Sequence, residues 1–179
     1  SVVIAFAYAV YLHFWVKRQP AANKRIIEVS DLIHAGANTF MRKEYIILAR
    51  FAGVAAVLIL VFLPSPIWDG NIVDNLSMMT AYLAGTILSA IAGKIGILVA
   101  TQANSRAAEG AQRGLKPAFL IGFRGGAVMG LSVVGFCLLG VMAVLMITGD
   151  ASVLLGFSFG ASSLALFAKA GGGIFTKAA

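Results

Sequence analysis

The sequence has little charge, one cysteine and two histidines in 179 residues. Charged residues make up 12% of the chain, against about 25% in soluble globular domains, so a water-soluble domain is excluded. The single Cys137 excludes an internal disulfide and a thiolate metal cluster, and its apolar surroundings indicate a packing role. His13 and His34 are isolated from other potential ligands, which favours interfacial or packing roles over a metal site.

Acidic side chains are also scarce, with seven Asp and Glu against fourteen Lys and Arg, and the net charge is +7. An excess of basic residues occurs in proteins that bind nucleic acid. Here the basic residues lie between long hydrophobic runs, so membrane topology explains them better and we expect no nucleic-acid partner. The carboxylates are scattered, with no pair at metal-binding spacing, so neither a metal site nor a catalytic residue is assigned.

Hydrophobic residues are abundant, at 60% of the chain. They form long continuous runs without the apolar–polar alternation of a barrel strand, which predicts helices. We therefore predict an all-α, polytopic membrane helix bundle in which residues 1–179 form a single membrane domain. The chain begins inside an apolar run and ends inside a glycine–lysine motif, so we expect it to be part of a longer protein. The five predicted spans are about 1–16, 46–63, 76–100, 121–147 and 151–168.

The basic residues between the spans predict the orientation in the membrane. Lys and Arg concentrate on the cytoplasmic side of membrane proteins. The connections 64–75 and 149–150 contain none and hold Asp69, Asp74 and Asp150. We therefore expect the N-terminus outside and the cytoplasmic segments at 17–45, 101–120 and 169–179. The residues that carry this prediction are Lys17, Arg18, Lys24, Arg25, Arg42, Lys43, Arg106, Arg113, Lys116, Lys169 and Lys177.

The polar segment Arg25 to Arg50 has helical periodicity. We interpret it as a cytoplasmic extension of the second span, the alternative being a separate helix that lies along the lipid headgroups. Ser30 and Asp31 are the candidates to cap its start.

Small residues recur at every fourth position within three of the spans. Such stripes allow membrane helices to approach closely, and they predict a tightly packed bundle. The stripes are Ala81, Gly85, Ser89 and Gly93 in the third span, Gly122, Gly126 and Gly130 in the fourth, and Gly156 and Gly160 in the fifth.

The stretch Gly156 to Ala179 is the strongest candidate for chemistry. Lys169 lies near the cytoplasmic end of the fifth span, where a long basic side chain can snorkel to the headgroups, as is also expected of Arg50, Lys94 and Arg124. The glycines Gly171 to Gly173 follow, although each glycine inside a helix costs about 1 kcal/mol relative to alanine. They suggest that a helix or a ligand approaches the backbone. If the helix continues to Lys177, the two lysines suit an anionic ligand, the alternative being a flexible tail.

Four segments carry a resemblance to a known family. The run GFSFGASSLALFAKAGGGIFTKAA closely resembles the glycine–lysine motif of the membrane-integral, ion-pumping pyrophosphatases. Residues 33–45 (IHAGANTFMRKEY), 93–111 (GKIGILVATQANSRAAEGA) and 122–130 (GFRGGAVMG) resemble other elements of that family in the same order. The triple-glycine motif is the most specific of them.

The resemblance implies roles for individual residues. Lys177 matches the family lysine that contacts pyrophosphate, and Gly171, Gly172 and Gly173 place backbone near that substrate. Lys169 matches a position usually held by arginine in the ion-coupling funnel, and lysine there keeps the charge but loses the bidentate geometry.

The resemblance also implies the activity and the assembly. It implies a membrane-bound inorganic pyrophosphatase that couples cytoplasmic hydrolysis of magnesium pyrophosphate to outward transport of H⁺ or Na⁺ across the lipid bilayer. It implies a homodimer of roughly sixteen-helix subunits, in which spans one to four belong to an outer ring and span five to an inner one. Mg²⁺ is the implied cofactor and K⁺ a second candidate, and the metal ligands and catalytic residues are expected outside this chain. The alternative is a secondary transporter or channel that binds an anion with the two lysines and hydrolyses nothing.

Overall fold

The protein consists of five helices in the order α1 (Val2–Lys17), α2 (Lys24–Phe62), α3 (Ile72–Gln112), α4 (Leu115–Thr148) and α5 (Val153–Ala178). The computed structural model describes residues 2–21, 23–68 and 70–178, with side chains up to Gly173, and no strand occurs among these residues. The prediction of an all-α bundle is confirmed.

Four helices are long and apolar enough to cross a membrane: α2, α3, α4 and the Val153–Gly173 part of α5. The first predicted span is the shorter apolar helix α1, of 16 residues. The protein is therefore an integral multi-pass membrane protein.

The helix α2 contains 39 residues, whereas about 20 residues cross the hydrocarbon of a bilayer. The polar segment from Arg25 to Arg50 is thus continuous with the second span, as predicted, and is not a separate helix. The predicted caps Ser30 and Asp31 are wrong, since both lie inside α2. The start is capped by Asn23, whose Oδ1 accepts hydrogen bonds from the backbone N–H groups of Arg25 (3.0 Å) and Ile26 (3.4 Å).

A polar side chain or a glycine lies at three further helix ends. Asn71 Oδ1 accepts from Val73 N–H (3.1 Å) at the start of α3. Asn75 Nδ2 donates to the carbonyls of Leu60 (2.9 Å) and Ser65 (2.7 Å), which ties the end of α2 to α3. Gly149, with φ of 65°, follows α4 in the left-handed conformation that helix ends commonly adopt.

The contacts divide the chain into two compact units, one of Ser1–Thr39 with Ala92–Gly135 and one of Phe40–Ile91 with Phe136–Ala179. In the first unit, Arg106 Nη2 donates to the Lys17 carbonyl (3.3 Å) at the end of α1. Its apolar clusters join α1, α3 and α4 through Ala9, Leu12, Val99 and Val128, and through Val16, Ala103 and Ile121.

The second unit is built around the first part of α3. One cluster packs Met78 and Tyr82 against the alanines of α2 and Ile59. Another packs Ala81 against Phe157 of α5, together with Val144 and Val153.

The small-residue stripes predict close contacts correctly in α3 and α5 but not in α4. A Cβ built at Gly122, Gly126 or Gly130 meets no atom within 4 Å, and these glycines are exposed in the described chain. Three other glycines of α4 meet other helices: Gly125 lies against Ala103, Gly135 against the ring of Phe6, and Gly140 against Phe157 and Leu88. Periodicity thus identifies a smooth face without showing whether a partner covers it.

The packing role expected of Cys137 is also wrong for this chain, because its side chain is exposed on α4.

Candidate functional site

The candidate site lies on the last turns of α5, which continues as one helix from Val153 to Ala178. The helix thus continues through the glycines and past Lys177, which is the condition under which the two lysines suit an anionic ligand. The side chain of Lys169 is exposed. The side chain of Lys177 lies outside the described residues, so its role as a substrate ligand stays a prediction.

The three glycines of α5 have different surroundings. A Cβ built at Gly171 would overlap Oε1 of Glu44, and it would lie 3.6 Å from the ring of Phe40. A Cβ at Gly172 or Gly173 would meet no atom of the described residues within 4 Å. Helix α2 therefore contacts α5 at Gly171, whereas a side chain at 172 or 173 would meet open space among the described residues.

The glycines upstream set α5 closely against α3. A Cβ at Gly160 would overlap the Tyr82 carbonyl oxygen, and one at Gly85 would overlap that of Phe157. Ser89 Oγ donates a hydrogen bond to the Ala161 carbonyl (3.1 Å). These backbone contacts determine which face of α5 meets α3, and they hold the helix in place ahead of its lysines.

Glu44 is the residue at this site that the sequence does not single out, because it is one of several scattered carboxylates. Its Oε1 is buried and has no hydrogen-bond partner in the described part of the chain. The residue lies in the polar part of α2, before the apolar run that begins at Ile46, and burial raises the pKa of its carboxyl above the ordinary value. The available signal was its position four residues after Phe40, on the same helix face.

Tyr45, the next residue, contacts a different helix. Its hydroxyl donates to the Ala90 carbonyl of α3 (2.8 Å). The pair Glu44–Tyr45 of α2 therefore contacts α5 through one side chain and α3 through the other. Adjacent residues on a helix point about 100° apart, which allows one dipeptide to meet two neighbours.

His34 and Arg124 contact other side chains, and two other basic residues near the ends of the predicted spans are exposed. Thr101 Oγ1 donates to a carbonyl of the preceding turn, at Ile97 (2.9 Å) or Leu98 (3.1 Å), so it accepts from Nδ1–H of His34 (3.1 Å). The guanidinium of Arg124 lies 3.9 Å from the ring centre of Trp15, a cation–π contact that the sequence did not predict. Arg50 and Lys94 are exposed.

A bound metal ion needs several ligands close together. In the described ranges, no group of three or more His, Cys, Asp or Glu side chains is arranged to hold a metal ion. The described residues therefore do not supply the cluster of oxygen ligands that Mg²⁺ prefers.

Comparison with known proteins extends these observations. A family model described as inorganic H⁺ pyrophosphatase matches residues 3–179. A K⁺-insensitive pyrophosphate-energized proton pump of Methanosarcina mazei is 40% identical over 177 residues, which cover 99% of this chain and 25% of that protein. A K⁺-stimulated pyrophosphate-energized sodium pump of Thermotoga maritima is 33% identical over 201 residues, which cover 99% of this chain and 26% of that protein.

A plant relative is similar over the same extent. The pyrophosphate-energized membrane proton pump 3 of Arabidopsis thaliana is 31% identical over 200 residues, with 99% of this chain and 25% of that protein covered. The chain thus spans about a quarter of the length of the curated relatives that it matches. Because one family model accounts for nearly all of the described helices, the chain belongs to the inorganic H⁺ pyrophosphatase family.

Proposed function

We propose that the intact protein is a pyrophosphate-energised ion pump, which hydrolyses magnesium pyrophosphate in the cytoplasm and transports H⁺ or Na⁺ outward. The observation that carries this proposal is the family match over residues 3–179, which includes the glycine–lysine end of α5. The named relatives are pumps for protons or for sodium ions. Membership of the family is supported by the whole length of this chain.

The lysines of α5 supply the positive charge that pyrophosphate needs. The ammonium of Lys177 donates hydrogen bonds to phosphate oxygens, and Lys169, two turns earlier, lies in the ion-coupling path. The space beside Gly172 and Gly173 lets pyrophosphate come close to the helix backbone. Helices α1 to α4 belong to an outer ring of helices, and α5 belongs to an inner ring.

Mg²⁺ is a cofactor of the proposed reaction, but the described residues of this chain do not fit its site. The described part contains no cluster of three acidic or histidine side chains. We therefore assign the ligands of Mg²⁺, and the residues that activate water, to other parts of the polypeptide.

The pumped ion and the effect of K⁺ are linked in the names of the relatives. K⁺-insensitivity goes with proton pumping in the Methanosarcina mazei protein and K⁺ stimulation with sodium pumping in the Thermotoga maritima protein. Both ions are therefore measured with and without K⁺ in any assay of the pump.

The proposed orientation places the N-terminus outside and the Lys169–Lys177 end in the cytoplasm. It is supported by the concentration of Lys and Arg in the segments 17–45, 101–120 and 169–179. The active protein is a homodimer embedded in the lipid bilayer.

The decisive experiment measures phosphate release from pyrophosphate by membranes that contain the full-length protein. Release that disappears when Mg²⁺ is chelated, and that drives H⁺ or Na⁺ transport, supports the pump. Transport of an anion without phosphate release would instead identify a secondary transporter or channel.

Lys177→Ala tests the substrate contact. A hydrogen bond to a charged group contributes about 1.5–3 kcal/mol, which corresponds to roughly a 10- to 150-fold loss of apparent affinity for pyrophosphate. The matched control is Lys116→Ala, which removes an exposed lysine before the predicted fourth span. Parent-like affinity in Lys177→Ala would contradict its assignment as a substrate ligand.

Lys169→Ala tests the coupling role. Loss of transport with hydrolysis retained would place Lys169 in the coupling path, whereas parent-like transport would remove it from that path.

A further inference from the structure

Glu44 of α2 contacts Gly171 of α5, and this contact is separate from the roles proposed for the two lysines. The carboxylate lies where a side chain at position 171 would be, since a Cβ there would overlap its Oε1. Phe40, one turn earlier on α2, lies beside the same glycine. One turn of α2 therefore packs directly on the bare backbone at the first residue of the glycine triplet.

The buried position of the Glu44 carboxylate is unfavourable in free energy. Glu44 Oε1 is buried and has no hydrogen-bond partner in the described ranges, and burial of such a group without a partner costs free energy. An aliphatic side chain of similar size would fill the same space without this cost. Within the described ranges, the contact of Glu44 with Gly171 is therefore packing and not a hydrogen bond.

Among the places at which α5 meets neighbouring helices, two lie on either side of Phe167, whose ring packs on Phe51 of α2. The first is Ala161, whose carbonyl accepts from Ser89 of α3, and Ala90 next to Ser89 accepts from Tyr45 of α2. The second is Gly171, ten residues or about 15 Å further along the helix. The lysines lie on either side of this second contact, at positions 169 and 177.

We propose that Glu44 is a positioning residue for substrate binding, which holds the lysine-bearing end of α5 in place by lying against Gly171. The proposal rests on the proposed function, because it assigns Glu44 to the same pyrophosphate site without direct contact to substrate. It also gives Gly171 a role different from that of Gly172 and Gly173. Gly171 makes room for Glu44, and the other two leave room beside the backbone for the ligand.

The geometry predicts how the two residues are coupled. The atom that a Cβ at position 171 would overlap is the end of a flexible side chain, so Gly171→Ala displaces the carboxylate rather than α5. This variant should therefore reproduce the effect of Glu44→Ala. Once Glu44 is alanine, nothing remains for the new methyl group to displace, and Gly171→Ala should have no further effect.

The experiment is a double-mutant cycle in the full-length protein, with steady-state hydrolysis of magnesium pyrophosphate as the first measurement. Glu44→Ala and Gly171→Ala should each raise KM about tenfold with kcat nearly unchanged, as expected when substrate binding alone is weakened. The double variant should show the same increase as either single variant. Glu44→Gln, of the same size, should restore parent KM, and Glu28→Ala, which removes an exposed carboxylate of α2, is the matched control.

Two outcomes would overturn the proposal. If the KM increases multiply in the double variant, Gly171 acts on substrate independently of Glu44. If Glu44→Ala leaves KM unchanged, the carboxylate has no positioning role.

A second measurement separates this proposal from the proposed function. Thermal midpoints of the four proteins report the Glu44–Gly171 coupling without any activity. If the parent releases no phosphate from pyrophosphate, the proposed function is rejected, and non-additive midpoints would still establish the contact. Additive midpoints together with normal hydrolysis would reject the contact and leave the proposed function intact.

Discussion

Replacement of Gly160 by alanine tests the close contact between α5 and the backbone of α3. A Cβ at this position would overlap the carbonyl oxygen of Tyr82 and would lie 3.0 Å from the backbone nitrogen of Thr86. Both atoms belong to the α3 backbone, which cannot rotate away as a side chain can. The variant can therefore accommodate its methyl group only if α5 moves away from α3.

Two effects of opposite sign determine the magnitude. Alanine is favoured over glycine inside a helix by about 1 kcal/mol. Overpacking costs about 1–3 kcal/mol, and the upper part of that range applies because the overlapped atoms are backbone. We therefore expect a net loss of about 1–2 kcal/mol, with the added loss of contacts at Gly156, which lies against the Met78 carbonyl.

The assay is the thermal midpoint of the full-length protein in detergent, compared with that of the parent. Gly53→Ala is the matched control, because a Cβ there meets no atom within 4 Å and helix propensity alone should keep or raise the midpoint. A Gly160→Ala midpoint equal to or above that of the parent would refute the close contact, since propensity without overlap predicts this sign. Gly85→Ala changes the same interface from the α3 side. In a double variant with Gly160→Ala, it should lower the thermal midpoint by less than it does alone.

Three further predictions concern the contact of Arg124 with Trp15, the carboxylate of Asp150 before α5, and the side of the membrane on which two connections lie. Arg124→Gln and Trp15→Leu should each lower the thermal midpoint, and their double-mutant cycle should give a coupling of about 0.5–2 kcal/mol; additivity would contradict the stacked contact. Asp150→Asn should destabilise the start of α5 at neutral pH. Hydrogen bonds from Ser152 hold the pKa of the Asp150 carboxyl below its ordinary 3.8. The stability that the ionised carboxylate contributes is therefore present above pH 3.8 and is lost as the pH falls through the lowered pKa. A stability difference between parent and Asp150→Asn that persists in acid would contradict this prediction. In a protein without other reactive cysteines, an impermeant maleimide should label Ala151→Cys in intact cells and Gln112→Cys only after lysis, and the reverse pattern would contradict the proposed orientation.

The helical bundle was predictable from the sequence because it depends on local properties. A run of about 20 apolar residues must satisfy its backbone hydrogen bonds internally in lipid, and a helix does so by itself. The four membrane-length helices and the continuous α2 follow from this constraint. The start of α2 was misplaced because several polar residues near it can cap a helix, and only the hydrogen bonds of Asn23 distinguish among them.

Contacts between helices were only partly predictable. The stripes of α3 and α5 meet each other, whereas the equally regular stripe of α4 meets no other helix among the described residues. Both patterns have the same spacing, so periodicity cannot distinguish them. The stacking of Arg124 on Trp15 likewise joins residues 109 positions apart, and no local pattern records it.

The same division applies to the candidate site. The sequence by itself determined that a lysine–triple-glycine motif lies at the end of a membrane helix, because residue type and spacing are local facts, and it determined the family. Only the tertiary structure decided that the first glycine lies against a carboxylate of α2 while the other two leave space beside the backbone. That difference depends on which helix packs on which face, and a carboxylate 127 residues away from Gly171 becomes its neighbour only when α2 and α5 are brought together.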